Sequence, residues 1–256
     1  MPATALPARS LLQRRDGRCR LLGLGHVCVG AAKIGNPRHN MGSVRHRRSA
    51  IDGKRVLISI PIIHSEADMG GLARSIRRVT VRKLGRRAWK RNVDVIARMW
   101  DDLRRTAEGW DLPWEKVRLY QDGLPRCGRE VDLVTTLAGA GSPNHQLLLS
   151  LMSRGAPLAG TESPDLLVKE YRLVQEQLAA NDSRGAATKA DYEARSRALL
   201  ARRDRYIARR INESLLPGEL GLLFLGMLHS VEPYLAKDIE VRHPIRWLPR
   251  PRTLTT

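Results

Sequence analysis

Two histidines sit where an apolar run stops. His64 follows Val56–Ile63, and His229 follows Leu220–Leu228, 165 positions later. Behind His64 come Ser65, Glu66, Ala67 and Asp68; two further apolar stretches end in Tyr120-Gln121-Asp122-Gly123 and Gly160-Thr161-Glu162. Imidazoles beside carboxylates support two chemistries. A histidine can serve as general base while a carboxylate orients it and stabilises its charge. Alternatively, histidines and carboxylates can hold a divalent metal ion that acidifies bound water and polarises a carbonyl. The residue types assign His64, Glu66, Asp122 and His229 to catalysis, and His64, Asp68 and His229 to a divalent metal ion if one is bound. Gln121, Asn144 and Glu162 are placed to contact substrate. No dedicated metal motif such as HExxH is present, and no glycine-rich phosphate loop follows any apolar run.

Each of these residues also has a purely structural reading. His64 and His229 could bond a neighbouring loop carbonyl. Glu66 and Asp68 stand before Met69-Gly70-Gly71, where they could cap a helix. Asp122 before Gly123 suits a turn, Glu162 precedes a helix start at Ser163, and Asn144 could cap the helix whose first turn holds His145.

What would bring such residues together is a set of strands. Val56–Ile63 reads as a strand buried on both faces, with Pro61 placing its end near an edge or in irregular backbone. Further strands are expected at Lys116–Tyr120, Ala156–Ala159, Leu220–Leu228 and Ile239–Val241. Leu72–Ile76 opens a helix or turn. Arg86–Trp110 reads as a helix with Trp89, Val93, Ile96, Met99, Trp100 and Leu103 on one side, the place of core residues. Glu130–Leu137, Asn144–Met152, Pro164–Leu178 and Ala190–Leu215 are helical by pattern, with Val231–Ala236 a short helix. Ser142-Pro143 and Ser163-Pro164 supply start signals. Strands alternating with helices predict an α/β fold, a mostly parallel sheet flanked by helices on both faces. Ligands of such sheets bind beyond the carboxyl ends of the strands, which is where the ionisable residues fall.

The formal charge is +19 over 256 residues. Residues 1–55 hold 12 Lys/Arg against 2 acidic residues, so more than half of the excess lies in a fifth of the chain. Residues 1–54 therefore read as a basic, disordered or misassigned extension, 55–246 as a single α/β domain, and 247–256 as a Pro/Arg-rich tail. Arg74–Arg91 is dense in cations, with Trp89 among them. Phosphate binding and base stacking are open to it, but a solvated basic face is favoured over nucleic acid. Three widely spaced cysteines, with no CxxC pair, fit a reducing cytoplasm better than a disulfide-stapled fold. No run is long enough for a transmembrane helix.

Arg203-Asp204-Arg205-Tyr206-Ile207-Ala208-Arg209-Arg210-Ile211, then Pro217-Gly218 and Leu222–His229, resembles the end of the TraB/Tiki/GumN and erythromycin-esterase-like superfamily. In that superfamily a long helix with an acidic-Arg motif precedes an apolar strand closing in Gly-x-x-His or Gly-x-His; Gly226 and His229 match. His64 stands in the place of the first such motif, with Pro61 where the family has glycine. The resemblance implies a hydrolase, metal-dependent on peptides in one branch and metal-free on esters in another. It pairs His64 with His229; Arg205, within the quoted segment, is a further candidate for contacting substrate. Glu66 fills the place of an essential glutamate; at the second strand end Gln121 and Asp122 stand instead. The PIIHSEADMG and YQDGLP segments look like those of an uncharacterised bacterial family. The alternative is a non-catalytic protein that binds a small ligand at the same edge, or nucleic acid through its Arg-rich helices.

Overall fold

The computed structural model describes residues 53–179 and 186–244. The N-terminal extension, save Gly53 and Lys54, and the C-terminal tail lie outside the described residues. Five strands form one parallel sheet: β1 (Arg55–Ile62), β2 (Val117–Gln121), β3 (Leu158–Ala159), β4 (Leu220–Gly226) and β5 (Ile239–Arg242), in the order β3-β2-β4-β1-β5. The helices are α1 (Ala73–Leu84), α2 (Arg86–Glu108), α3 (Glu130–Gly139), α4 (Pro143–Met152), α5 (Pro164–Ala179) and α6 (Ala186–Ser214). Short 3-10 turns at Glu66–Leu72, Trp114–Lys116 and Glu232–Tyr234 complete the described elements. The last replaces the short helix expected at 231–236.

The layering of the helices follows from the strand order and crossover handedness. Crossovers between parallel strands are right-handed, so connections running one way along the sheet cover one face and those running back cover the other. The connections β1 to β2 and β2 to β3 both move toward the β3 edge and carry α1–α4. The return from β3 to β4 carries α5 and α6. Two cores result, with alternate residues of each strand feeding them. Ile58, Ile60, Leu119, Leu222 and Phe224 pack with α2, α3 and α4. Leu57, Tyr120, Leu223 and Leu225 meet Ile207, Ala208, Ile211 and Leu215 from α6 and its end. Central β4 is buried at every position, hence its unbroken apolar sequence.

Pro61 is tolerated for a specific reason. β1 lies between β4 and β5, but β5 pairs with it only from Arg55 to Ile58. The Val56 N–H donates to Glu219 O on the β4 side, so by alternation position 61 faces the other side, where among the described residues no strand pairs with β1 beyond Ile58 and a missing donor costs little. The apolar side of α2 also differs from the core stripe expected for it. Its C-terminal half, Met99, Trp100 and Leu103, is core, whereas Trp89, Val93 and Ile96 line a cavity between α1 and α2.

Candidate functional site

β1 sends its connection toward one face of the sheet, while the connection of its neighbour β4 returns toward the other edge. β2, on the opposite flank of β4, again departs toward the β3 edge. A crevice opens where adjacent strands diverge in this way. The residues following β1, β2 and β4 meet there.

Asp122 is the hub. It is buried, and its backbone N–H donates to Phe224 O at 2.9 Å, which fixes the end of β2 against β4. His64 Nε2 lies 3.2 Å from Asp122 Oδ2, and the Gly226 N–H donates to that same oxygen at 3.0 Å. His229 Nε2 stands 3.4 Å from Asp122 Oδ1. The two histidines thus share one carboxylate. Gly226 makes this possible, because a Cβ there would meet Asp122 Oδ2 at 2.6 Å and His64 Nε2 at 3.6 Å. The end of β1 is pinned from α2, where Trp100 Nε1 donates to Ile63 O at 3.1 Å.

Behind Asp122 lies Arg203 of α6, with no exposed surface. Its guanidinium donates to Asp122 Oδ1 at 2.9 Å, to Glu162 Oε1 at 2.5 Å and to Glu170 Oε1 at 2.7 Å. The next residue, Asp204, holds His229: its Oδ1 is 2.5 Å from Nδ1, and its Oδ2 accepts the Ser230 N–H at 3.1 Å. His229 is therefore clasped on both ring nitrogens by carboxylates.

The protonation states follow from these contacts. Burial pulls the His229 pKa down, but Asp122 and Asp204 together outweigh it and push it up to about 10, so the ring is an imidazolium at neutral pH. Burial likewise opposes charge on His64; the hydrogen bond and charge of Asp122 prevail, and its pKa is raised above 6.5. Burial would raise Asp122, yet His229, His64 and Arg203 hold it well below the usual carboxylate range. At Glu162 burial wins over Arg203 and the pKa is raised. Because ionised Asp122 only accepts, His64 Nε2 carries the proton toward it and Nδ1 is the basic nitrogen. His64 also lines the cavity between α1 and α2.

The other expected residues fall as follows. Asp68 closes a capping box with Ser65, accepting from its N–H at 2.7 Å and its Oγ at 2.8 Å, and also accepts from Ser142 Oγ. Burial works against its charge, but His145, His64 and Ser142 lower its pKa to about 2. Ser142, not Asn144, caps α4, and its Oγ lies 2.7 Å from His145 Nδ1. The Asn144 amide is buried, with no hydrogen-bond partner among the described residues. Gln121 is buried and donates to Asp122 O at 2.9 Å. Glu66 lines the cavity, 3.8 Å from Arg77. Arg205 is exposed over the Tyr234 ring, 5.5 Å from its centroid. The arginine that reaches the site is Arg203, since residues two apart face opposite sides of a helix.

Arg203, Glu170 and Asp204 escaped the residue-by-residue reading because they are remote from any strand end. A signal for two of them was present. Arg203 interrupts the apolar series Leu199, Ile207, Ile211 at four-residue spacing, and Glu170 falls between Leu166 and Leu173 on a buried face. A charge in such a stripe demands a partner, and each is the other's.

Asp122, Glu162 and His229 offer ligand atoms that all lie within 4.8 Å of one another, a group that could hold a metal ion. Arg203 already donates to both carboxylates of that group, and the His229 ring carries the proton an ion would have to displace. The donor set fits the guanidinium better than a divalent cation.

No family model, curated protein or solved structure matches the chain.

Among the described residues no helix is long and apolar enough to cross a membrane. The site is a buried carboxylate, fixed by one guanidinium and one imidazolium, presenting a second imidazole to a cavity.

Proposed function

We propose that this chain is a hydrolase acting on an ester or peptide-like bond, with His64 as general base, Asp122 as the group that orients it and His229 as a fixed positive charge. One observation carries this reading. His64 is bonded through Nε2 to a buried, ionised Asp122 while lining a cavity of about 270 Å³, so its basic Nδ1 is the nitrogen left for substrate or water. Nδ1 takes a proton from water as the water oxygen attacks the carbonyl carbon. The same nitrogen returns the proton to the leaving oxygen or nitrogen when that bond breaks. Asp122 stabilises the imidazolium formed between the two steps. The resemblance noted in the sequence agrees with a pairing of His64 and His229, although the two would act differently.

The test is turnover of a panel of nitrophenyl esters and coumarin amides. His64→Ala should lower kcat by about 10²–10⁴-fold with an unchanged circular dichroism spectrum; undiminished turnover would end the proposal. A metal-assisted variant of the reaction has one observation in its favour, the Asp122, Glu162 and His229 group. Metal analysis of the purified chain decides it: a stoichiometric divalent ion would require Arg203 to yield its place. The second reading is a non-catalytic small-ligand protein, favoured by the largely apolar cavity lining; binding without turnover on any substrate would establish it.

A further inference from the structure

The cavity beside His64 has a composition that its neighbour's chemistry does not require. It lies between α1 and α2 and is walled by Ile76, Trp89, Val93, Ile96 and Trp100. Along α2, Trp89, Val93, Ile96 and Trp100 repeat at three- and four-residue spacing and border the cavity, Trp100 also packing into the core, while Ile76 of α1 borders it and packs against Leu72 and Val174. Leu84 at 37% exposure, Val93 at 38% and Leu228 at 49% mark its open side. At about 270 Å³ it is close to the lower end of ligand pockets, roughly 300–1,000 Å³.

The helices that form it are strongly charged. From Ala73 to Asn92 the chain carries nine Lys/Arg and no acidic residue. Among these, Lys83 lines the cavity, one residue before Leu84 and close to the turn at Gly85. Glu66, the acidic residue of the lining, follows His64 by two positions and has Arg77 of α1 at 3.8 Å as its counter-charge. An apolar slot with a cationic end and a histidine end is complementary to a molecule with an apolar chain and a negative head.

We propose that the α1–α2 cleft binds an anionic amphiphile, its apolar chain in the cavity and its negatively charged group at Lys83 and the basic turn. As a statement about what His64 acts on, this rests on the hydrolase reading; as a statement about binding, it stands without it.

Calorimetric titration with decanoate, butyrate and decyltrimethylammonium tests it. Decanoate should bind, with butyrate and the cationic amphiphile each weaker by about tenfold or more, or about 1.4 kcal/mol. Lys83→Glu should weaken decanoate about tenfold, and Ala97→Trp, which fills the cavity from α2, should abolish binding. Vesicles of phosphatidylglycerol and phosphatidylcholine identify the source: binding to the anionic vesicles that is lost in Ala97→Trp means the amphiphile is taken from a bilayer. The proposal is overturned if nothing binds, if decyltrimethylammonium binds as well as decanoate, or if Ala97→Trp binds as tightly as before. Decanoate binding without turnover on any substrate would remove the hydrolase reading and keep this site; ester turnover without decanoate binding would do the reverse.

Discussion

At the scale of single residues, the two histidines have unequal work. Both touch Asp122, but His229 is held by Asp204 as well and stays protonated to about pH 10, whereas His64 has one carboxylate and borders the cavity. A general base is active when deprotonated, so kcat/KM should rise with pH along a limb whose midpoint lies above 6.5. Asp122→Asn removes the influence that raises His64 and should move that midpoint to lower pH; a limb that stays in place would show that another group titrates. His229 makes a separate prediction about stability. Its folded pKa is raised above the unfolded value, so its contribution is complete below pH 6.5 and is lost as the pH climbs toward 10. Thermal melts should show the midpoint falling over that window, and His229→Gln should flatten the fall.

At the scale of elements, the site depends on what each strand and helix end allows. Gly226 lets the Asp122 carboxylate reach the β4 backbone, and a Cβ would stand 2.6 Å from Oδ2. Gly226→Ala should therefore destabilise the fold by about 1–3 kcal/mol and lower turnover together, read by denaturant unfolding and by ester hydrolysis. Arg203 is a buried cation facing three carboxylates; Arg203→Ala should cost about 3–5 kcal/mol, because it leaves buried charges without their partner. Much of this level could be read from sequence. The strands ending at His64, Asp122, Glu162 and His229 were visible as apolar runs that stop at ionisable residues, and the parallel sheet places such stops on one rim. Arg203 and Glu170 were hidden inside amphipathic helices, where periodicity shows that a position is buried but not which distant helix supplies its counter-charge. The fate of the α2 stripe was hidden for the same reason. Trp89 and Trp100 share one pattern and both border the cavity, yet only Trp100 is part of the buried core.

At the scale of the whole molecule, one sheet serves both cores, and buried β4 belongs to each. Neither face can lose its packing without exposing the strands that support the other. Urea unfolding followed by tryptophan fluorescence, which reports Trp100 and Trp110 on the α2 side, should coincide with the helical signal from far-ultraviolet circular dichroism. Two separated transitions would mean that the faces fold independently. The same architecture explains why histidines 165 positions apart meet: β1 and β4 are hydrogen-bonded neighbours from Val56–Leu220 to Ile62–Gly226, so their ends are level. The measurement that bears most directly on the account is nitrogen-15 NMR titration of the imidazoles, in the unaltered chain and in Asp122→Asn. His64 is predicted to carry its proton on Nε2 when neutral and to titrate above pH 6.5, with Asp122→Asn lowering both histidine pKa values. A His64 that titrates at or below 6.5 and ignores the substitution would contradict the shared carboxylate, and the catalytic reading with it.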